Sequence, residues 1–251
     1  MTLNNKVCLI TGGGSGIGRA TAIKMAEEGA TIVVVGRTQS KIDETVSSIQ
    51  KNGGNASGYT TDVSDQKSVD TLVSTVIREH SKIDLLLNNA GHSSKHRRLT
   101  TTTATEIQSV IDSNLIGTIY CSQAIVPHMI EAAEGTIINV ASIAGLNPSN
   151  LGGMIYSAVK AAVINFTGFL NDDLKNTGIR ASVIIPGEVD TPILDNRPIP
   201  PNLDARAKMV TAEDTAEAIS MIARLPLRTN IPELQIRPTF VRDNSEEIEK
   251  I

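Results

Sequence analysis

The chain has 251 residues, is 40% apolar and carries a formal charge of -4, enough for one large domain or two small ones. So mild a charge argues against the clustered basic surface of a nucleic-acid binder. No run reaches the ~18 apolar residues of a membrane span, and the first six residues lack the apolar core of a secretion signal, so a soluble cytoplasmic protein is expected. Cys8 and Cys121 read as two reduced core thiols rather than a disulfide or a metal site.

In chain order, apolar runs alternate with helical patterns. Strands are predicted at 7–10, 31–35, 56–60, 83–87, 136–141, 179–185 and 233–236. Helices are predicted at 17–28, 39–52, 65–80, 103–112, 114–132, 154–176 and 212–223. Strict alternation implies parallel pairing with crossover helices on both faces. The fold class is therefore α/β: one Rossmann-like, doubly wound parallel sheet of about seven strands. Runs such as Ile32-Val33-Val34-Val35 suit strands buried on both sides, whereas the more polar 56–60 suits a sheet edge. Residues 1–240 read as one dinucleotide-binding and catalytic domain. The irregular, proline-bearing stretch 192–210 reads as a substrate lid over the carboxyl edge of the sheet, with a surface loop as the alternative. Residues 241–251 read as a solvated C-terminal tail. The helices at 114–132 and 154–176 are apolar on more than one face, which predicts packing against another subunit.

The first strand runs into Thr11-Gly12-Gly13-Gly14-Ser15-Gly16-Ile17-Gly18. Glycines let the backbone turn sharply beside a ligand, and the free N–H groups at a helix start attract a phosphate. Gly18 is followed by Arg19-Ala20, so the stretch is not a P-loop. Gly12, Ser15, Gly16, Ile17 and Gly18 are the candidate phosphate cradle. After the second strand, Gly36-Arg37 stands where a dinucleotide fold usually has a ribose-binding carboxylate. A guanidinium matches a 2′-phosphate in charge and fork, which favours NADP(H) over NAD(H); a solvated arginine is the competing reading. Asp62-Val63 ends the third strand, where Asp62 can reach an adenine edge or cap the next helix. Tyr156 and Lys160 share a helix face, and Ser142 ends the preceding strand. A cation near a phenol favours the phenolate, so these three groups suit acid–base work on a carbonyl. Lys95-His96-Arg97-Arg98 either draws an anionic substrate or forms a solvated loop.

Taken together, Thr11–Gly18, Asn88-Asn89-Ala90-Gly91, Asn114, Ser142, Tyr156-x-x-x-Lys160 and Pro186-Gly187 resemble the classical short-chain dehydrogenases/reductases, from about Lys6 to Pro238. The resemblance implies that Tyr156 is the general acid/base and Ser142 holds the reacting oxygen. Lys160 would bind the nicotinamide ribose and depress the tyrosine pKa, and Asn114 would keep a relay water. Asn89, Ala90 and Gly91 would line the cofactor, Asn88 would tie strands together, and Pro186, Gly187, Val189 and Thr191 would contact the nicotinamide. It implies an NADP(H)-dependent oxidoreductase interconverting a small ketone and a secondary alcohol, such as a 3-hydroxy acid or keto ester, as a homotetramer or a dimer. A 3-oxoacyl-thioester reductase, an epimerase or dehydratase, and a non-catalytic NADP(H) sensor are the alternatives. The stretch 143–155 looks slightly longer than usual for the family, which leaves the substrate open.

Overall fold

The computed structural model describes residues 2–248. Within them the chain runs β1 (Val7–Thr11), α1 (Gly16–Glu27), β2 (Thr31–Gly36), α2 (Gln39–Lys51), β3 (Asn55–Thr60), α3 (Gln66–His80), β4 (Leu85–Asn88) and α4 (Ala104–Ile111). It continues through α5 (Gly117–Ala132), β5 (Gly135–Val140), α6 (Met154–Asp173), β6 (Ile179–Pro186), β7 (Val189–Asp190), α7 (Leu203–Arg206), β8 (Val210–Thr211), α8 (Ala212–Arg224) and β9 (Glu233–Ile236).

The described residues form a seven-stranded parallel sheet in the order β3-β2-β1-β4-β5-β6-β9. β3 lies at one edge, as its polar sequence predicts. Alternate residues of β1 feed opposite faces. Cys8 and Ile10 pack with Met25 of α1, Ile42 of α2 and Ile219 of α8. Leu9 packs with Val73 of α3, Ile125 of α5 and Leu170 of α6. β1 is thus covered on both sides, the condition that lets a parallel strand be continuously apolar. Burial pushes both thiols, Cys8 and Cys121, up to about 12, as expected of inert core cysteines.

Three local features depart from the sequence reading. A π-helical turn, Asp112–Ile116, joins α4 to α5, where two separate helices are expected from the periodicity. The stretch 192–210 is not structureless: it holds a 3₁₀ turn at Pro192–Asn196, then α7, then β8, which pairs with β7. The segment after Phe240 is read as solvated, yet Arg242 and Glu247 have side chains only 8% and 12% exposed. They close an ion cluster with Glu188 and Arg197. Opposite charges contributed by distant parts of the chain hold these two side chains in, and the segment's own composition does not reveal them. Residues 249–251 of the expected tail lie outside the described residues.

Candidate active site

All the parallel strands end at one edge, and the site is built there. At its near end the turn after β1 is held by specific contacts. Gly12 has φ +65, and a side chain there would collide with Asn89 and Ala90. Thr11 Oγ1 accepts the backbone N–H groups of Asn89 and Ala90, both at 3.0 Å, while Asn89 Nδ2 donates to Thr11 O at 3.1 Å. Ser15 precedes α1 without making a side-chain cap, so the first-turn N–H groups stay available to an anion. A side chain on Gly18 would meet the carbonyl of Gly12. This turn fits a dinucleotide pyrophosphate.

From the turn, one arm of the cleft runs to the ends of β2 and β3. It is lined by Gly14, Arg37, Lys41, Asp62 and Val63 and has a volume of about 170 Å³. Asp62 does not cap α3, because Asp65 does so by accepting Lys67 N–H at 3.1 Å. Burial pushes the Asp62 carboxyl up, but the Ser64 hydroxyl and N–H and the Arg37 guanidinium outweigh it, leaving it below the usual carboxylate range. Lys41 was not singled out in the sequence. Its signal is the spacing from Arg37, one helical turn into α2, which sets a second cation on the same arm.

The other arm, about 270 Å³, is lined by Asn114, Ser142, Tyr156, Lys160, Pro186, Gly187, Val189 and Thr191, together with Gly12, Gly16, Ile17, Asn89 and Gly91. The predicted catalytic set is therefore brought together beside the predicted nicotinamide segment. Ala90 opens onto the first arm. Gly16 (φ +52) leaves room for Thr191, whose Cβ lies 3.3 Å from where a side chain would begin. Asn88 does tie strands together, donating to Asn139 Oδ1 at 2.9 Å and Ser122 Oγ at 3.2 Å.

The π turn fixes Asn114. Its Nδ2 donates to His92 O at 2.8 Å and Val110 O at 2.9 Å, and its buried Oδ1 has no partner. An orphaned buried acceptor carries a desolvation cost unless a water or ligand meets it, which fits a water-holding role.

Tyr156 lies in the first turn of α6, and Ser142 caps the 3₁₀ turn Ile143–Gly145, accepting Ala144 N–H at 3.2 Å. Burial raises the Tyr156 phenol above its usual value, while Ser142 and the charges of Arg97 and Arg197 pull it down. Lys160 is not among the groups that shift the phenol in this structure. Lys160 Nζ instead donates to Val140 O at 2.8 Å and stands 5.5 Å from the centroid of the Tyr156 ring. Burial brings Lys160 itself down to about 8. Two cations read poorly from the sequence, Arg97 and Arg197, are the ones that act on the phenol.

A doubly wound sheet with a glycine turn at one end of its cleft, and a tyrosine, serine and lysine at the other, defines a dinucleotide-dependent oxidoreductase. A family profile described as short chain dehydrogenase matches residues 6–200, and the chain belongs to that family. An uncharacterized oxidoreductase of Staphylococcus aureus (strain USA300) is 35% identical over 236 residues, covering 94% of this chain and 98% of that one. Among solved structures, the closed form of a serine dehydrogenase complexed with NADP+ is 29% identical with a TM-score of 0.85, covering 95% of this chain and 97% of that one. A short-chain dehydrogenase/reductase from Burkholderia phymatum in complex with NAD is 30% identical with a TM-score of 0.82, covering 93% and 90%.

Proposed function

We propose that the chain is an NADP(H)-dependent reductase that interconverts a small ketone and a secondary alcohol. The observation that carries this reading is the union, in one cleft, of Tyr156 and Ser142 with an arm that ends on Arg37 and Lys41. A bound nicotinamide supplies the hydride to the carbonyl carbon in reduction and accepts it back in oxidation. Ser142 donates a hydrogen bond to the reacting oxygen and fixes its place. Tyr156 transfers its proton to that oxygen, so ketone, NADPH and one proton become alcohol and NADP+. In the reverse direction the phenolate takes the hydroxyl proton. Because burial keeps Tyr156 protonated well into the alkaline range, the cofactor-free chain is set up as an acid at neutral pH. Lys160 holds the ribose from the floor of the cleft, and Asn114 Oδ1 anchors a water through which the phenol is reprotonated.

The two cations on the first arm support NADP(H), since a 2′-phosphate there has Arg37 and Lys41 as partners and only the already engaged Asp62 as an opposing charge. The NADP+ held by the serine dehydrogenase structure supports the same choice. Residues 192–210 act as a lid over the second arm, which Ile193, Leu194 and Arg197 line. Phe169 and Ile130, 57% and 47% exposed on α6 and α5, support a homo-oligomer built through those helices. No helix among the described residues is long and apolar enough to cross a membrane.

The test is cofactor consumption across a panel of small ketones, keto acids and keto esters, with NADPH and NADH in parallel. Turnover with NADPH and little with NADH is expected. Preference for NADH would remove the role given to Arg37, and Tyr156→Phe with undiminished turnover would remove the mechanism.

A further inference from the structure

Of the run Lys95-His96-Arg97-Arg98, only Arg97 turns fully inward, and it is 6% exposed. Its stem lies over Gly153 (φ +87), where any side chain would press on Arg97 Cγ and Cβ at 3.0 and 3.1 Å. Its backbone carbonyl accepts Met154 N–H at 3.0 Å. Arg97 is thus clamped to the residues that open α6, with its head in the arm that holds Ser142 and Tyr156.

A guanidinium has five N–H donors and a full charge. Among the described residues Arg97 has one partner, the Leu151 carbonyl reached from Nη1, and its buried Nε has none. No carboxylate among the described residues pairs with it. Burial brings it down to about 10, with the Arg197 charge pushing the same way and only Tyr156 opposing.

The second arginine of this arm is different. Arg197 donates to Glu188 at 3.1 Å and Glu247 at 3.0 Å, and Arg242 shares both carboxylates. Two arginines and two glutamates cancel. Among the described residues, what the arm retains is Arg97 and Lys160, with no free carboxylate against them. A buried charge left unpaired is costly, and a guanidinium fork fits a carboxylate with two parallel hydrogen bonds.

We propose that Arg97 is the carboxylate-binding residue of this site, so that the substrate is a small keto acid and its hydroxy acid. The carboxylate docks on Arg97 while Ser142 and Tyr156 hold the reacting oxygen. The nicotinamide and the substrate would share a cleft of about 270 Å³, which favours a short carbon skeleton. This assignment rests on the oxidoreductase reading but is tested separately from it.

The test compares acetoacetate with methyl acetoacetate, which differ in the charge, as substrates with NADPH. In the wild type the acid is expected to have the higher kcat/KM. In Arg97→Gln the acid-to-ester ratio of kcat/KM is expected to fall by about 30-fold or more, the scale of a lost charge-assisted pair. Arg97→Lys, which keeps the charge without the fork, should fall between. An equal fall for acid and ester would overturn the proposal, leaving Arg97 as a support for Tyr156 or for the 149–153 loop. Binding gives a readout that needs no turnover. A panel of three- to five-carbon hydroxy acids is added to the NADP+-loaded protein and the thermal midpoint is followed. A rise with at least one acid in wild type, absent in Arg97→Gln, supports the assignment. No rise with any acid, or the same rise in both proteins, sinks it even if ketone reduction is established. A rise that depends on Arg97 without any turnover would spare the anion site and remove the oxidoreductase reading.

Discussion

Two buried arginines stand at opposite ends of the same sheet. Arg180, near the start of β6, is 5% exposed. It spends its donors on Thr136 Oγ1 and on the carbonyls of Ile222, Ala223, Pro226 and Thr229, at 2.7 to 3.3 Å. Ile222 and Ala223 lie at the end of α8, where the helix leaves carbonyls unsatisfied, so Arg180 ties a helix, a loop and a strand together. Arg97, beyond the carboxyl end of β4, is as deeply buried, yet among the described residues it has one carbonyl and a bare Nε. The amino end of the sheet closes its charge internally and is structural. The carboxyl end leaves polar atoms open, Asn114 Oδ1 among them, and we assign those openings to a ligand.

This contrast can be broken by experiment. The largest expected effect is at the open end: Tyr156→Phe should cost about a thousandfold in kcat for ketone reduction with little change in stability. A thermal scan beside the kinetics would expose any confusion between the two. Arg180→Met should do the reverse, losing about 3–4 kcal/mol of stability because five acceptors lose their donor at once. Urea denaturation measures it, and a loss below 1 kcal/mol would mean the closed end is no scaffold. Arg37→Ala should weaken NADPH binding by about ten- to a hundredfold, the scale of one charge-assisted contact, and NADH binding much less. Fluorescence titration separates the two cofactors, and equal losses would remove Arg37 from phosphate recognition.

Lys160 tests the open end through pH. Its folded value of about 8 lies below the ordinary 10.5, so burial of the charge destabilises the cofactor-free fold. That penalty is fully present below pH 8 and is relieved as the folded-state amine deprotonates, between about pH 8 and the unfolded value. Lys160→Met should therefore stabilise the cofactor-free protein at pH 7 by about 1–2 kcal/mol, after allowing for the lost bond to Val140. The gain should shrink by pH 9.5, and a gain that does not change with pH would mean the amine is not strained by burial. The smallest effect belongs to Arg97→Gln, which should move stability by less than about 1 kcal/mol in either direction, because it removes an uncompensated charge as well as one hydrogen bond. A loss as large as that of Arg180→Met would erase the difference between the two ends.

The strands and helices were legible because burial on two faces writes itself into runs such as Ile32–Val35, and the turn after β1 because a backbone with φ +65 beside Asn89 has little choice but glycine. Tyr156, Lys160 and Ser142 could be read because each stands at a strand end or helix start that the pattern locates. Arg97 could not be separated from its charged neighbours. What buries it is Gly153 and Leu151, far along the chain, and periodicity carries no information about such a meeting. Arg242 and Glu247 were missed in the same way, since their counter-charges come from Glu188 and Arg197. β7 and β8, two residues each, are too short to leave a pattern at all.

The π turn at Asp112–Ile116 has one more consequence. It holds one residue more per hydrogen-bonded ring than an α turn, and each helical residue turns the chain by about 100°. Removing a single residue from this stretch would let α4 and α5 fuse into one regular rod. It would also swing one of them by about that angle about its axis, carrying either Asn114 away from His92 or Ile125 out of the core. Length here is thus a specification in its own right, separate from the identity of the residues that fill these five positions.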